Sequence, residues 1–233
     1  MPFIKVCGLR DPTNLPAIAA LLPDAVGLIF SEASPRFVGA LPPGVVRALP
    51  PDVRRVGVFV DAAPADIATL ADAYGLDVVQ LHGTESPEIC AAVGAGGRAV
   101  VKAFRVGDAF DLAALAPYVP HVQGFLFDAP GPRPGGNGVA FDWSRLAAYP
   151  YAATTPWLLA GGLTPGHLPV LQALWQTGLP GLAGFDLNSG FETVPAWKDV
   201  AAVRDFLLAW AGDEASADWL PARTSHAAGL VAG

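Results

Sequence analysis

Residues 55–83 decide how the rest of the chain is read. They open with Arg55-Val56-Gly57-Val58-Phe59-Val60, pass through the longer amphipathic stretch Pro64–Tyr74, and return to Val78-Val79-Gln80-Leu81-His82 ahead of Gly83. A short apolar run, a helical stretch and a second short apolar run form a strand, a helix and a strand. The pattern repeats in both directions. Strands are expected at Phe3–Leu9, Ala25–Phe30, Arg55–Val60, Val78–His82, Ala99–Val106, Phe125–Ala129, Trp157–Gly161 and Gly184–Asn188. Helices are expected between them at Pro12–Leu22, Pro43–Leu49, Pro64–Tyr74, Pro87–Val93, Phe110–Ala116, Trp143–Ala148, Pro165–Trp175 and Lys198–Trp210. Several begin with proline after a capping residue, as in Asp11-Pro12, Ser86-Pro87 and Thr164-Pro165, where the missing N–H had no partner anyway. The strands are apolar on both faces, as buried parallel strands should be. Eight such units in strict alternation predict an α/β protein of the (β/α)8 TIM-barrel class, a single domain over residues 1–211. A doubly wound open sheet is the competing architecture. Residues 212–233 show no periodicity and are expected to form a flexible tail.

Composition narrows the function. The chain has 233 residues, a net charge of −7 and no basic tract, which argues against nucleic acid or an anionic membrane as partner. Its two cysteines, Cys7 and Cys90, are too few for a disulfide framework and form no metal-binding pair. Residues 146–185 lack any charged side chain, but Pro150, Pro156, Pro165, Pro169 and Pro180 break them up short of a membrane span. A soluble, cytoplasmic protein in a reducing compartment is expected.

In a barrel of this kind chemistry belongs at the C-terminal ends of the strands. Side chains alternate along a strand, so Lys5 and Cys7 share a face, as do Gln80 and His82, and Asp186 and Asn188. Cys7 stands near the end of the first strand with Gly8 beside it. Asp128 follows the apolar Phe125-Leu126-Phe127. The plain alternatives are a small buried hydrophobe for Cys7, a turn residue for Asp128 and a structural histidine for His82; Cys90 keeps the plain role. Lys5 and Asp186 would meet on barrel closure as an interior ion pair, which Lys102 could share.

Two loops suit an anion. Gly161-Gly162-Leu163-Thr164 leaves the seventh strand and opens a helix, and Asn188-Ser189-Gly190 leaves the eighth. Glycines bare backbone amides, and these are the loops where barrels hold phosphate. The glycine- and proline-rich loop Pro130–Ala140 is a lid candidate. Arg36, after the second strand, could grip a carboxylate.

In order along residues 4–199, these segments resemble the phosphoribosylanthranilate isomerase family. The matching pieces are Lys5-Val6-Cys7-Gly8-Leu9, Ser34-Pro35-Arg36, Val56-Gly57-Val58-Phe59-Val60, Val79-Gln80-Leu81-His82-Gly83, and Asp128 with Gly135-Gly136-Asn137-Gly138 and Phe141-Asp142-Trp143. Leu159-Ala160-Gly161-Gly162-Leu163 and Ser189-Gly190-Phe191-Glu192, leading to Lys198-Asp199, complete the set. The resemblance implies an enzyme of tryptophan biosynthesis that rearranges N-(5′-phosphoribosyl)anthranilate with no cofactor and no metal. It implies Cys7 as general base and Asp128 as general acid. It further implies Arg36, His82, Gly136, Gly162, Ser189 and Gly190 as substrate-binding residues, with Lys5 and Asp186 in support. Lys5 is expected to favour the Cys7 thiolate, and the phenylalanines of the sixth strand to surround Asp128 with apolar atoms. The implied partner is a small phosphorylated molecule, and the implied assembly a monomer or weak homodimer.

Three departures from the family pattern stand out: Asn137 where threonine is common, Asn188 where serine is, and Ala196-Trp197 where a glycine precedes the Lys-Asp pair. Two other functions fit the same architecture. One is a different metal-free phosphosugar isomerase; the other is a catalytically silent barrel serving as a binding subunit.

Overall fold

The computed structural model describes residues 1–107, 110–128 and 143–211. Eight parallel strands, β1 (Phe3–Cys7), β2 (Ala25–Ile29), β3 (Arg54–Phe59), β4 (Val78–Leu81), β5 (Ala99–Arg105), β6 (Gly124–Asp128), β7 (Trp157–Ala160) and β8 (Leu182–Leu187), pair in chain order. β1 also pairs with β8, with Lys5 opposite Asp186, so the sheet closes into a barrel. Six α-helices lie among the described residues: α1 (Asn14–Ala19), α2 (Pro43–Arg47), α3 (Pro64–Tyr74), α4 (Pro87–Gly94), α5 (Leu168–Gln176) and α6 (Val200–Ala211).

Strand alternation sorts the core into two bodies. Phe3, Ala25, Val56, Val78, Val101, Leu126 and Leu158 form the cluster inside the ring. Ile4, Val6, Val26, Val79, Val100, Phe125, Phe127 and Phe185 belong to the larger cluster under the helices. Each large side chain so buried contributes about 1.5–3 kcal/mol, which is why nearly every strand position is apolar.

The outer layer departs from the expected eight helices after β5 and β6. Phe110–Ala116 and Trp143–Ala148 contain 3₁₀ turns at Leu112–Leu115 and Trp143–Ala148 instead of α-helices. The Asp111 carboxylate takes the Ala113 amide at 2.9 Å, and Pro117 and Pro120 supply no N–H to extend an α-helical ladder. Aromatic rings pack together on the outer faces of β5, β6 and β7. Phe127 lies 5.2 Å from Trp157 and 6.1 Å from Phe125, centroid to centroid, and Phe104 packs edge-on to Phe125.

Helix starts also differ. α1 begins at Asn14, because the Asp11 carboxylate accepts the amides of Thr13 and Asn14 and leaves Pro12 outside. Ser86 precedes α4 without capping it, whereas Thr164 and His167 do form a reciprocal box around a 3₁₀ turn. The last helix starts at Val200, not Lys198. Asn14 claims both backbone groups of Lys198, accepting its N–H and donating to its carbonyl, each at 2.9 Å. Lys198 instead sits in β10 (Trp197–Lys198), which forms a small antiparallel hairpin with β9 (Glu192–Val194) that the sequence reading did not anticipate. The proposed tail, residues 212–233, lies outside the described residues.

Candidate active site

Because the strands are parallel, β1 and β6 end on the same side of the barrel, and there they carry Cys7 and Asp128. Cys7 follows Phe3 and Lys5 on the inward face, and Asp128 follows Leu126. The thiol is buried, and burial pushes it above the ordinary cysteine range; the positive charges of Lys5 and Lys198 pull the other way but do not cancel it. Its place depends on Gly27 of β2, where a Cβ would lie 2.6 Å from the sulfur. Lys5 favours the thiolate, but burial outweighs it.

Asp128 keeps about a third of its side chain exposed (32%) and faces His82, with 3.6 Å between Oδ2 and Nε2. That exceeds a hydrogen bond but lies within reach of a charge interaction. The Gln80 amide is 3.1 Å from His82 Nδ1. If it donates there, the proton of a neutral imidazole sits on Nε2, toward Asp128. Phe125 and Phe127 do not surround the carboxyl as expected. Alternation turns them outward into the aromatic layer, and the apolar neighbour on the inner face is Leu126.

Lys5 and Asp186 form the expected interior pair. Lys5 Nζ donates to both carboxylate oxygens at 3.0 and 2.9 Å, with the lysine side chain 2% exposed. Burial alone would lower the lysine pKa; Asp186, and secondarily Cys7, more than offset this and raise it. Lys102 does not share the pair. It lies on the outer side of β5, bonded to Glu85 at 3.0 Å and to the carbonyls of Gly83 and Ala103. Glu85 in turn accepts the amides of Asp61 and Gly83, so this second pair fixes the loops after β3 and β4.

Around Gly8, Arg36 meets residues that the sequence reading left without a role. Its Nε and Nη2 donate to the two oxygens of Glu192 at 2.9 and 2.6 Å. Glu192 also receives Lys198 Nζ at 2.5 Å and the Ala196 amide at 3.1 Å, and Lys198 donates to Asn188 Oδ1 at 2.9 Å. Burial would raise the Glu192 pKa, but its bonds from Arg36 and Lys198 prevail and lower it. Gly8 has φ +80°, and a Cβ there would lie 2.6 Å from Asn188 Oδ1 and 2.7 Å from Arg36 Cδ. Only glycine fits that backbone and that space.

The two glycine loops pack against each other. Gly161 and Gly162 take φ +103° and +61°, and a Cβ on Gly190 would lie 2.0 Å from the Leu163 carbonyl oxygen. Ser189–Phe191 is a single 3₁₀ turn, whose first amides have no partner within it. Gly162, Ser189 and Gly190 thus lie on adjoining loops at the same end of the barrel as Cys7. Gly136 and the lid candidate Pro130–Ala140 lie outside the described residues.

Glu192 and Lys198 were visible in the sequence as parts of matched segments, and Asn188 as part of a glycine loop, but nothing there paired Glu192 with Arg36 across 156 residues. Gly27 and Glu85 carried no sequence signal.

A thiol and a carboxyl turned into one barrel mouth beside two abutting glycine loops define a (β/α)8-barrel enzyme equipped for proton transfer on an anionic small molecule. Residues 4–209 match the family described as N-(5′-phosphoribosyl)anthranilate (PRA) isomerase, and the chain belongs to that family. It is 43% identical over 205 residues to the N-(5′-phosphoribosyl)anthranilate isomerase of Phocaeicola vulgatus, covering 88% of this chain and 96% of that protein. The corresponding enzyme of Rhodospirillum centenum is 41% identical over 211 residues, with 88% and 95% covered. Among solved structures, phosphoribosyl anthranilate isomerase from Thermotoga maritima superposes with a TM-score of 0.75 at 31% identity, covering 89% of this chain and 97% of that one. A phosphoribosyl anthranilate isomerase in complex with reduced 1-(o-carboxyphenylamino)-1-deoxyribulose 5-phosphate gives a TM-score of 0.73 at 29% identity, with 89% and 97% covered.

Proposed function

We infer that this chain catalyses the Amadori rearrangement of N-(5′-phosphoribosyl)anthranilate to 1-(2-carboxyphenylamino)-1-deoxyribulose 5-phosphate, the isomerase step of tryptophan biosynthesis. The observation that carries this is the family match over residues 4–209. Asp128 protonates the furanose ring oxygen; the C1′–O bond breaks and the anthranilate nitrogen lone pair closes a protonated Schiff base. The Cys7 thiolate then removes the C2′ proton, the C–H electrons move toward nitrogen, and the resulting enolamine tautomerises to the ketone. Arg36 faces the anthranilate carboxylate, and the amides of Gly162, Ser189 and Gly190 hold the phosphate. The inward parity of Cys7 and Asp128 at one barrel end supports this division of labour, as does the contact between the β7 and β8 loops.

The test follows the loss of anthranilate-adduct fluorescence on adding the protein to substrate. Wild type is expected to convert it; Cys7→Ala and Asp128→Asn are expected to lose at least about 10²-fold in kcat with KM within a few-fold, the usual size of a proton-transfer contribution. Wild type without activity, and unable to restore growth to a tryptophan auxotroph lacking this step, ends the proposal. Near-normal kcat in either variant removes that residue's role alone.

A further inference from the structure

We propose that Glu192 is a positioning residue that sets the substrate specificity of Arg36, by fixing which edge of its guanidinium meets the substrate. This rests on the function inferred above, and in particular on Arg36 receiving the aromatic carboxylate.

A guanidinium has two edges that can take a carboxylate in a two-bond fork: the side edge of Nε and Nη2, and the end edge of Nη1 and Nη2. Glu192 occupies the side edge, with bonds at 2.9 and 2.6 Å. Among the described residues nothing bonds Nη1, so the end edge alone is left to receive a ligand. The Glu192 side chain is 5% exposed and that of Arg36 19%, so the acid is buried while part of the cation still reaches solvent. Glu192 cannot swing away, because Lys198, the Ala196 amide and through Lys198 the Asn188 side chain hold it from the far side. Lys198 is itself fully buried and stitched to Asn14. The Arg36 stem crosses the bare backbone of Gly8, next in sequence to Cys7, which places the guanidinium beside the thiol.

Charge points the same way. Arg36 and Lys198 bring two positive charges and Glu192 one negative, so the cluster lacks one anion. A carboxylate on the substrate supplies it, in a fork that offers only donors. A carboxamide in that position supplies no charge and turns an N–H₂ toward an N–H, leaving a partly buried donor without an acceptor. Glu192 therefore makes Arg36 a selector of carboxylate over carboxamide and over an unsubstituted ring, although it never touches the substrate itself.

The test compares the wild-type full chain with Glu192→Gln, Glu192→Asp, Arg36→Met and the double variant Arg36→Met/Glu192→Gln. The substrates are the phosphoribosyl adducts of anthranilate, of 2-aminobenzamide and of aniline. Glu192→Gln is expected to raise KM for the anthranilate adduct about tenfold with kcat little changed. It should narrow the preference for that adduct over the benzamide adduct, and leave the aniline adduct unaffected. Glu192→Asp, which keeps the charge but withdraws it from the side edge, should give the same split and guards against a glutamine variant that does not fold. The double variant should match Arg36→Met, since Glu192 acts only through Arg36. A Glu192→Gln or Glu192→Asp enzyme impaired equally on all three adducts, or a double variant worse than Arg36→Met, overturns the proposal. If Arg36→Met weakens the anthranilate adduct but both Glu192 variants behave as wild type, the positioning role fails alone. If Arg36→Met changes nothing, the carboxylate-binding role of Arg36 fails, and this proposal with it.

Discussion

The sulfur of Cys7 lies over the bare backbone of Gly27, where a methyl group in place of the glycine hydrogen would come within 2.6 Å of it and within 3.1 Å of the Cys7 Cα and Cβ. The proposed base is thus seated by a residue on the neighbouring strand that has no chemistry of its own. Gly27→Ala should displace the thiol without removing it. We expect kcat to fall at least about tenfold, because ångström-scale misplacement of a reacting group is costly. The added methyl should also cost about 1–3 kcal/mol of stability. Steady-state kinetics with urea unfolding checks both; unchanged kcat would mean that the sulfur's placement does not limit the reaction.

The Lys5 ammonium is the strongest of the charges that restrain the rise in the Cys7 pKa caused by burial. Lys5→Met should therefore raise that pKa further. The pH dependence of iodoacetamide labelling reads this directly. Cys90 does not confuse the measurement, since it is buried and pushed up to about 11. A labelling profile identical to wild type would show that Lys5 has no part in activating the thiol. Lys5→Met/Asp186→Leu should restore part of the roughly 3–5 kcal/mol lost on breaking a buried pair.

Glu192 is held below its ordinary pKa by Arg36 and Lys198, against the opposing effect of burial. A carboxylate depressed in the folded state contributes stability that is fully present above its unfolded pKa, about 4.3. That contribution is lost as pH falls through the lower, folded value. The stability gap between wild type and Glu192→Gln, measured by urea midpoints, should therefore hold steady from neutrality to about pH 5 and narrow in stronger acid. A gap independent of pH would place the effect in packing and not in charge.

Ala196 adopts φ +66° between β9 and β10, a backbone region where an L side chain is strained. It occupies the segment where the family commonly carries glycine. Ala196→Gly should relieve that strain, offset in part by the freer unfolded chain, for a net gain of about 0.5–1 kcal/mol. In a domain of this size that corresponds to a rise in Tm of about 1–4 °C. A fall in Tm would mean that the methyl group's burial outweighs the strain it causes.

Much of the barrel could be read from local pattern because parallel strands announce themselves one at a time: each is a short apolar run, and all eight expected positions hold a strand. The helices are less faithful witnesses. Phe110–Ala116 is apolar enough for a helix, but Asp111 and the two following prolines tighten it into a 3₁₀ turn, and only the packing of Phe104 against Tyr118 and Phe125 shows why the barrel tolerates this. For the site, the inward parity of Lys5, Cys7 and Asp186 followed from alternation alone. The partner of Lys102 did not, because Glu85 sits in a loop and reaches it around the outside of the sheet. The bond from Arg36 to Glu192 was equally hidden, since it spans 156 residues and exists only once the ring has closed.

That closure has a consequence for biosynthesis. The clasp of Asn14 on the backbone of Lys198 joins segments 184 residues apart, and the cluster that steadies Arg36 hangs from it. While the chain is still emerging from the ribosome, the thiol of the first strand already exists but has neither its counter-ion partner nor its recognition cluster. Activity must therefore arrive late, and a nascent fragment ending before the final hairpin would hold all eight barrel strands but lack the residues that steady Arg36.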